Sequence, residues 1–138
     1  MAFVVDASVM LAQPLGQANR IATFARARLG NEAAVAPGLW WFEVRNVLIV
    51  NERRGIISEA DTVRVLREWA QLDIAIDNVA DEAGITTLAR RHRLTVYDAA
   101  YLELAARRRL DLATLDASLA AAARLEGIRL VGDDTRSG

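Results

Sequence analysis

The sequence predicts an α/β domain built on a central parallel β-sheet with helices on both faces, and three observations lead there. Short apolar runs alternate with amphipathic stretches, the pattern of strands joined by crossover helices. The chain has 138 residues, 53% of them hydrophobic, which suits one domain with one core. No repeat or low-complexity stretch interrupts it, and both prolines, Pro14 and Pro37, stand at boundaries between elements. The expected division is one domain over residues 1–132 and a flexible tail over 133–138.

Taken in order, Phe3-Val4-Val5 reads as a buried first strand ending at Asp6, and Ala18 to Leu29 as a helix stopped by Gly30. Ala33 to Ala36 is a short strand. Pro37 then opens a helix from Gly38 to Arg54 that Gly55 closes. Ser58 caps the next helix, with Asp61 three positions on as a capping-box variant, and Val63, Leu66 and Ala70 are expected on its inner face. Asp73 to Asp77 alternates as a strand does, and Val79 to Arg91 reads as a helix. Asp98 to Arg109 is a strong helix with Leu102, Ala105 and Ala106 inward. Leu112 to Leu115 is a buried strand ending at Asp116, Ser118 to Leu125 a helix, and Ile128 to Val131 a last strand.

Composition removes several kinds of chemistry. There is no cysteine, so disulfides, zinc–thiolate sites and thiol nucleophiles are out, and a cytoplasmic setting is expected. All 17 basic residues are arginine. Without lysine there is no P-loop of the usual kind, no Schiff base, and neither the receiver nor the haloacid-dehalogenase arrangement. The apolar runs fall far short of the ~20 residues of a membrane span, and the start lacks the basic and apolar regions of a signal peptide. A net charge of −1 gives no global field to gather nucleic acid.

Four carboxylates stand where chemistry is expected. Asp6 and Asp116 directly follow apolar strands, and in an open parallel sheet the carboxyl ends of the strands border the ligand crevice. Either can equally serve as a helix N-cap. Asp98 opens its helix beside Ala99 and Ala100, whose small side chains allow close approach to another backbone. Glu43 lies among Trp40, Trp41 and Phe42 at the edge of the apolar face, an expensive place for an unpaired carboxylate. Asn46 is its expected hydrogen-bonding neighbour. If the four converge, their repulsion calls for a cation, and an all-carboxylate pocket suits Mg²⁺ or Mn²⁺. Such an ion activates water and neutralises phosphate, which points to phosphodiester hydrolysis.

The blocks Val-Val-Asp-Ala-Ser-Val, Pro-Gly-Leu-Trp-Trp-Phe-Glu-Val-Arg-Asn-Val-Leu, Leu-Thr-Val-Tyr-Asp-Ala-Ala-Tyr-Leu-Glu-Leu-Ala and Leu-Ala-Thr-Leu-Asp occur in that order along the chain. Together they resemble the PIN-domain family, and within it the VapC-type toxin ribonucleases of type II toxin–antitoxin systems. The resemblance implies a metal-dependent endoribonuclease using Mg²⁺ or Mn²⁺, with tRNA or ribosomal RNA among the class's targets. It further implies a homodimer and a cognate VapB-type antitoxin. Asp6, Glu43, Asp98 and Asp116 match the family's acidic positions, and Ser8 and Thr114 its small hydroxyl positions. The alternative is a non-catalytic PIN-like module that binds RNA or protein through the same groove.

Arginine clusters fall at expected helix ends, where a cation is favoured by the helix dipole in any case. Arg90, Arg91, Arg93, Arg107 and Arg108 are nevertheless the candidates for phosphate contact. Glu103 and Arg107 are spaced for an i,i+4 pair. His92, the single histidine, is expected at the surface and not as a general base. Of Trp40 and Trp41, one is expected in the core and one at an interface, and Trp69 is expected in the core.

Overall fold

The structure, a computed structural model, describes residues 2–133. Phe3, Val4 and Val5 have no exposed surface, so strand β1 (Ala2–Val5) is covered on both faces. That is the signature of a parallel sheet between helical layers. Three more strands join it: β2 (Ala33–Pro37), β3 (Ile74–Asp77) and β4 (Asp111–Ala113). All pairings are parallel, and the order across the sheet is β3-β2-β1-β4. The chain therefore builds outward from β1 on one side and returns to place β4 on the other. This makes the space beyond the carboxyl ends of β1 and β4 a topological switch point, where such sheets bind ligands.

The helices are α1 (Ala7–Leu11), α2 (Arg20–Leu29), α3 (Gly38–Arg53), α4 (Glu59–Ala70), α5 (Glu82–His92), α6 (Val96–Arg108) and α7 (Ala117–Leu125). Helix α6 packs on β1, β2 and β4, and every residue from Ala99 to Ala105 is buried. Ala99, Ala100 and Ala105 let its backbone approach its neighbours, as expected. Ala106 faces solvent instead of the core. The Ser58–Asp61 capping box forms in both directions, at 3.0 and 2.9 Å. The inner face of α4 is Thr62, Val65 and Trp69, while Val63 and Ala70 are exposed. The stripe is shifted because Trp69, packed 6.2 Å from Trp40, turns the helix towards α3.

Other boundaries differ for local reasons. Helix α1 was not expected, because five residues carry too little periodicity to signal a helix. Helix α5 starts at Glu82 rather than Val79, since the Asp77 carboxylate accepts from Val79 N–H (2.9 Å) and holds that segment in a turn. The expected last strand over 128–131 reduces to one bridge between Leu112 and Leu130. Asp133, placed in the tail by sequence, is tied to Arg124 at 2.8 Å, and residues 134–138 lie outside the described residues.

His92 is not a surface residue. Its side chain is 8% exposed and lies 2.6 Å from Glu126, which also accepts from Arg91. The i,i+4 pair of Glu103 and Arg107 forms at 2.6 Å.

Replacing Ser58 by Ala removes the hydroxyl half of the capping box and is expected to cost about 1 kcal/mol. The check is a lower urea midpoint with an unchanged m-value. An unaltered midpoint would show that α4 is held by its packing alone.

Candidate active site

Asp6 is the residue just beyond β1, 6% exposed, with its backbone N–H bonded to the Ala113 carbonyl of β4 (3.0 Å). It precedes α1 without a full side-chain cap hydrogen bond, although the Ala7 and Ser8 N–H groups at the head of that helix favour its charged form. Its Oδ2 instead accepts from Thr114 Oγ1 (2.6 Å) and from Ser8 Oγ (2.9 Å). Each hydroxyl in turn accepts a backbone N–H, Leu115 to Ser8 (3.1 Å) and Asp116 to Thr114 (3.0 Å). With those lone pairs filled, the single proton of each hydroxyl is directed at Asp6. Neither hydroxyl uses Oδ1.

Asp116 does act as a cap. Its Oδ1 accepts from Leu119 N–H at 2.8 Å at the head of α7. Asp98 does not cap: Thr95 takes that place, accepting from Asp98 N–H at 3.1 Å, and Asp98 is the third residue of α6. A carboxylate there is favoured by the helix dipole. Glu43 is half-buried on α3 and accepts from Tyr101 Oη at 2.5 Å. Asn46 is exposed and makes no hydrogen bond to Glu43, a correction to the expected pairing. Asn46 lies on the solvent side of α3, and the Glu43 carboxylate is taken instead by the hydroxyl of buried Tyr101, which approaches from the core side.

Tyr101 escaped the sequence reading. The available signal was its spacing: three residues after Asp98 on one helix places both side chains on one face.

The four carboxylates share one cleft of about 490 Å³, walled by Leu11 and Leu15. No arginine lines it. Burial raises Asp6 above the ordinary carboxylate range, against the pull of Thr114 and Ser8. Burial also raises Glu43, against the Tyr101 bond and with the charges of Asp6 and Asp98 adding. Asp98 is raised by burial and then by Asp116 and Asp6. Tyr101, raised far above its usual value by burial and by Glu43, stays protonated and donating. The expected arginines behave differently. Arg91 binds Glu126, Arg107 binds Glu103 and Asp77, and Arg108 binds Asp77. Arg107 is nine residues along α6 from Asp98, about 13 Å by helical rise. Arg90 and Arg93 are exposed, without an ion pair to a described residue.

An all-oxygen donor set fits a hard divalent cation. Among the described residues no three acidic or histidine side chains draw close enough to enclose an ion by themselves.

In the unfolded chain these carboxyls titrate near about 4. The folded, metal-free chain holds Asp6, Glu43 and Asp98 higher, so it binds more protons across the window above that value. By linkage their contribution is greatest below the unfolded pKa and is lost as pH rises through the folded values. Urea midpoints in EDTA should therefore show Asp98→Asn gaining on the wild type as pH rises from about 4 to 8. A constant difference between the two would contradict the mutual repulsion.

The PIN domain family model matches residues 3–125. A search of curated proteins returned no match. Among solved structures, the crystal structure of PAE2754 from Pyrobaculum aerophilum superposes with a TM-score of 0.70. That match covers 88% of this chain and 84% of the other at 24% identity, a likeness of fold. Switch-point topology, the acidic cleft and the match over nearly all of the sequence agree, and the chain belongs to the PIN domain family.

Proposed function

We propose that this protein is a metal-dependent endoribonuclease, cleaving RNA phosphodiester bonds with Mg²⁺ or Mn²⁺ at Asp6, Glu43, Asp98 and Asp116. The observation that carries the reading is the shared cleft, in which four acids from four separate segments meet without a basic side chain. PIN domains are typically metal-dependent nucleases, which supports the reaction class. Such a concentration of negative charge repels a phosphodiester unless a cation intervenes.

Asp6, Asp98 and Asp116 would hold the ion, directly or through its water, with Glu43 at the edge. A bound divalent cation would supply charge neutralisation and a more acidic water. The chain's own part is orientation. Ser8 and Thr114 fix the Asp6 carboxylate, and the Leu119 N–H fixes Asp116. Tyr101 holds Glu43 as an oriented acceptor, able to take a proton from an attacking water.

The reading extends to biological role. The resemblance to VapC-type proteins supports a toxin of a type II toxin–antitoxin pair, controlled by a VapB-type antitoxin, with tRNA or ribosomal RNA as target. Exposed Trp41, Phe42 and Ile49 on α3 support protein partners, assigned here as a second copy of the chain and the antitoxin. No helix among the described residues is long and apolar enough to cross a membrane.

The test is incubation of total RNA with the protein in Mg²⁺, in Mn²⁺ and in EDTA, beside Asp98→Asn. Discrete fragments that vanish with EDTA, and fall by about a hundredfold or more in the variant, are the expected result. An inert wild type in every metal, freed of any bound partner, would leave a PIN-like binding module instead.

Two further outcomes follow from the same geometry. Mg²⁺ or Mn²⁺ should raise the melting temperature of the wild type, and Asp98→Asn should reduce that rise. Tyr101→Phe removes one hydroxyl and frees Glu43, so cleavage should drop by about 10- to 100-fold with the fold retained. Unchanged cleavage in that variant would remove Tyr101 from the mechanism.

A further inference from the structure

A second hollow, of about 420 Å³, lies beside the carboxylate cleft between α2 and the turn after α1. Gln17 lines both, so the two are neighbours on either side of one residue. Their chemistry is opposite. No acidic residue lines the second hollow; its rim carries Gln13, Gln17, Asn19 and Arg26, and its floor is the buried pair Val9 and Ala22.

The rim is held in place. The turn bearing Gln13 and Gln17 is closed by Gln17 N–H to the Ala12 carbonyl (2.7 Å) and Gly16 N–H to the Gln13 carbonyl (3.0 Å). Gly16 sits at a φ of 72°, a conformation other residues adopt at a cost. Asn19 caps α2, its Oδ1 accepting from Ile21 N–H (2.8 Å) and Ala22 N–H (3.2 Å). This fixes the amide and leaves both Nδ2 hydrogens unspent. Arg26 makes no ion pair with a described residue, although Arg28, two positions on, is bound by Glu32 and Asp111.

We propose that this hollow is a nucleobase subsite for the nucleotide next to the bond cut in the carboxylate cleft. Val9 and Ala22 lie against the face of the base, the amides of Gln13, Gln17 and Asn19 read its edge, and Arg26 meets its phosphate. Carboxamides present donors and acceptors together, which is what base edges require. The inference rests on the ribonuclease reading and adds to it a base-reading site beside the cleft. A base must leave its stack to enter the hollow, as loop and bulge bases do.

The experiment has two arms on the full chain. In the first, AMP, GMP, CMP and UMP are titrated separately while the side-chain amide signals of Gln13, Gln17 and Asn19 are followed by NMR. Saturable shifts that favour one base, weakened about tenfold in Arg26→Gln and with the base preference lost in Gln17→Leu, are expected. In the second arm, the cleavage sites of wild type and Gln17→Leu are mapped on total RNA. The variant should cut with relaxed preference at one position beside the scissile bond, and its loss should fall on KM.

Nucleotide shifts confined to the surroundings of Asp98, with cleavage preferences unchanged in Gln17→Leu, overturn the subsite and leave the nuclease standing. Base-selective shifts at the three amides in a protein that cuts no RNA support the subsite as a nucleotide site and overturn the nuclease. Both readings fall if neither arm responds.

Discussion

Everything at the functional end of this protein is arranged around the burial of one carboxylate. Asp6 terminates the central strand, and at 6% exposure it cannot rely on water. A buried charge without partners costs several kcal/mol, so its neighbours are constrained more than they would be around an apolar residue. Thr114 and Ser8 supply the two protons it needs, and each is aimed by a backbone N–H from the segment after β4. The carboxylate thereby ties the end of β1 to the end of β4, the two strands that flank the switch point. Removing either hydroxyl would loosen the strand ends as well as the acid.

The contrast with the other acids shows that this burial is specialised. Asp77, Asp111 and Glu126 each face arginine, and Glu126 also His92. These three titrate below the ordinary carboxylate range. Asp6, Glu43 and Asp98 go the other way, with burial and one another as the causes. A chain with 17 arginines could have placed one in the cleft. Leaving the cleft without one stores repulsion that a divalent cation can relieve, and perturbed groups gathered in a cleft are the physical mark of a functional site.

Much of this arrangement was legible in the sequence, for identifiable reasons. Asp6 and Asp116 could be placed because strand ends in parallel sheets have a fixed functional side. Glu43 stood out among three aromatic neighbours, although only Trp40 of them is buried and Trp41 and Phe42 are exposed. Helical spacing of small residues located the buried stretch of α6. Tertiary choices were less visible. Whether Asn46 or Tyr101 holds Glu43 depends on where the fold sets α6 relative to α3, a distance of 58 residues in sequence. The inner face of α4 is likewise decided by the contact of Trp69 with Trp40, and local periodicity pointed to Val63. Arginines at helix ends look alike in sequence, and only the fold separates Arg91, Arg107 and Arg108, which are paired, from Arg90 and Arg93.

The placement of the site on rigid elements also bears on how it meets a polyanion. Asp98 and Tyr101 ride on a helix buried from Ala99 to Ala105, so their positions are properties of the core and do not depend on loop closure. With a net charge of −1 there is little long-range attraction to draw nucleic acid in. On the proposed reading binding is local, through a cation in the cleft and through arginines that the fold leaves without carboxylate partners. Arg26 satisfies that condition at the rim of the adjoining hollow, and the amides beside it can discriminate bases without adding charge. On that reading an enzyme built this way would bind polyanions weakly in general and gain its affinity where a base and a phosphate present themselves together.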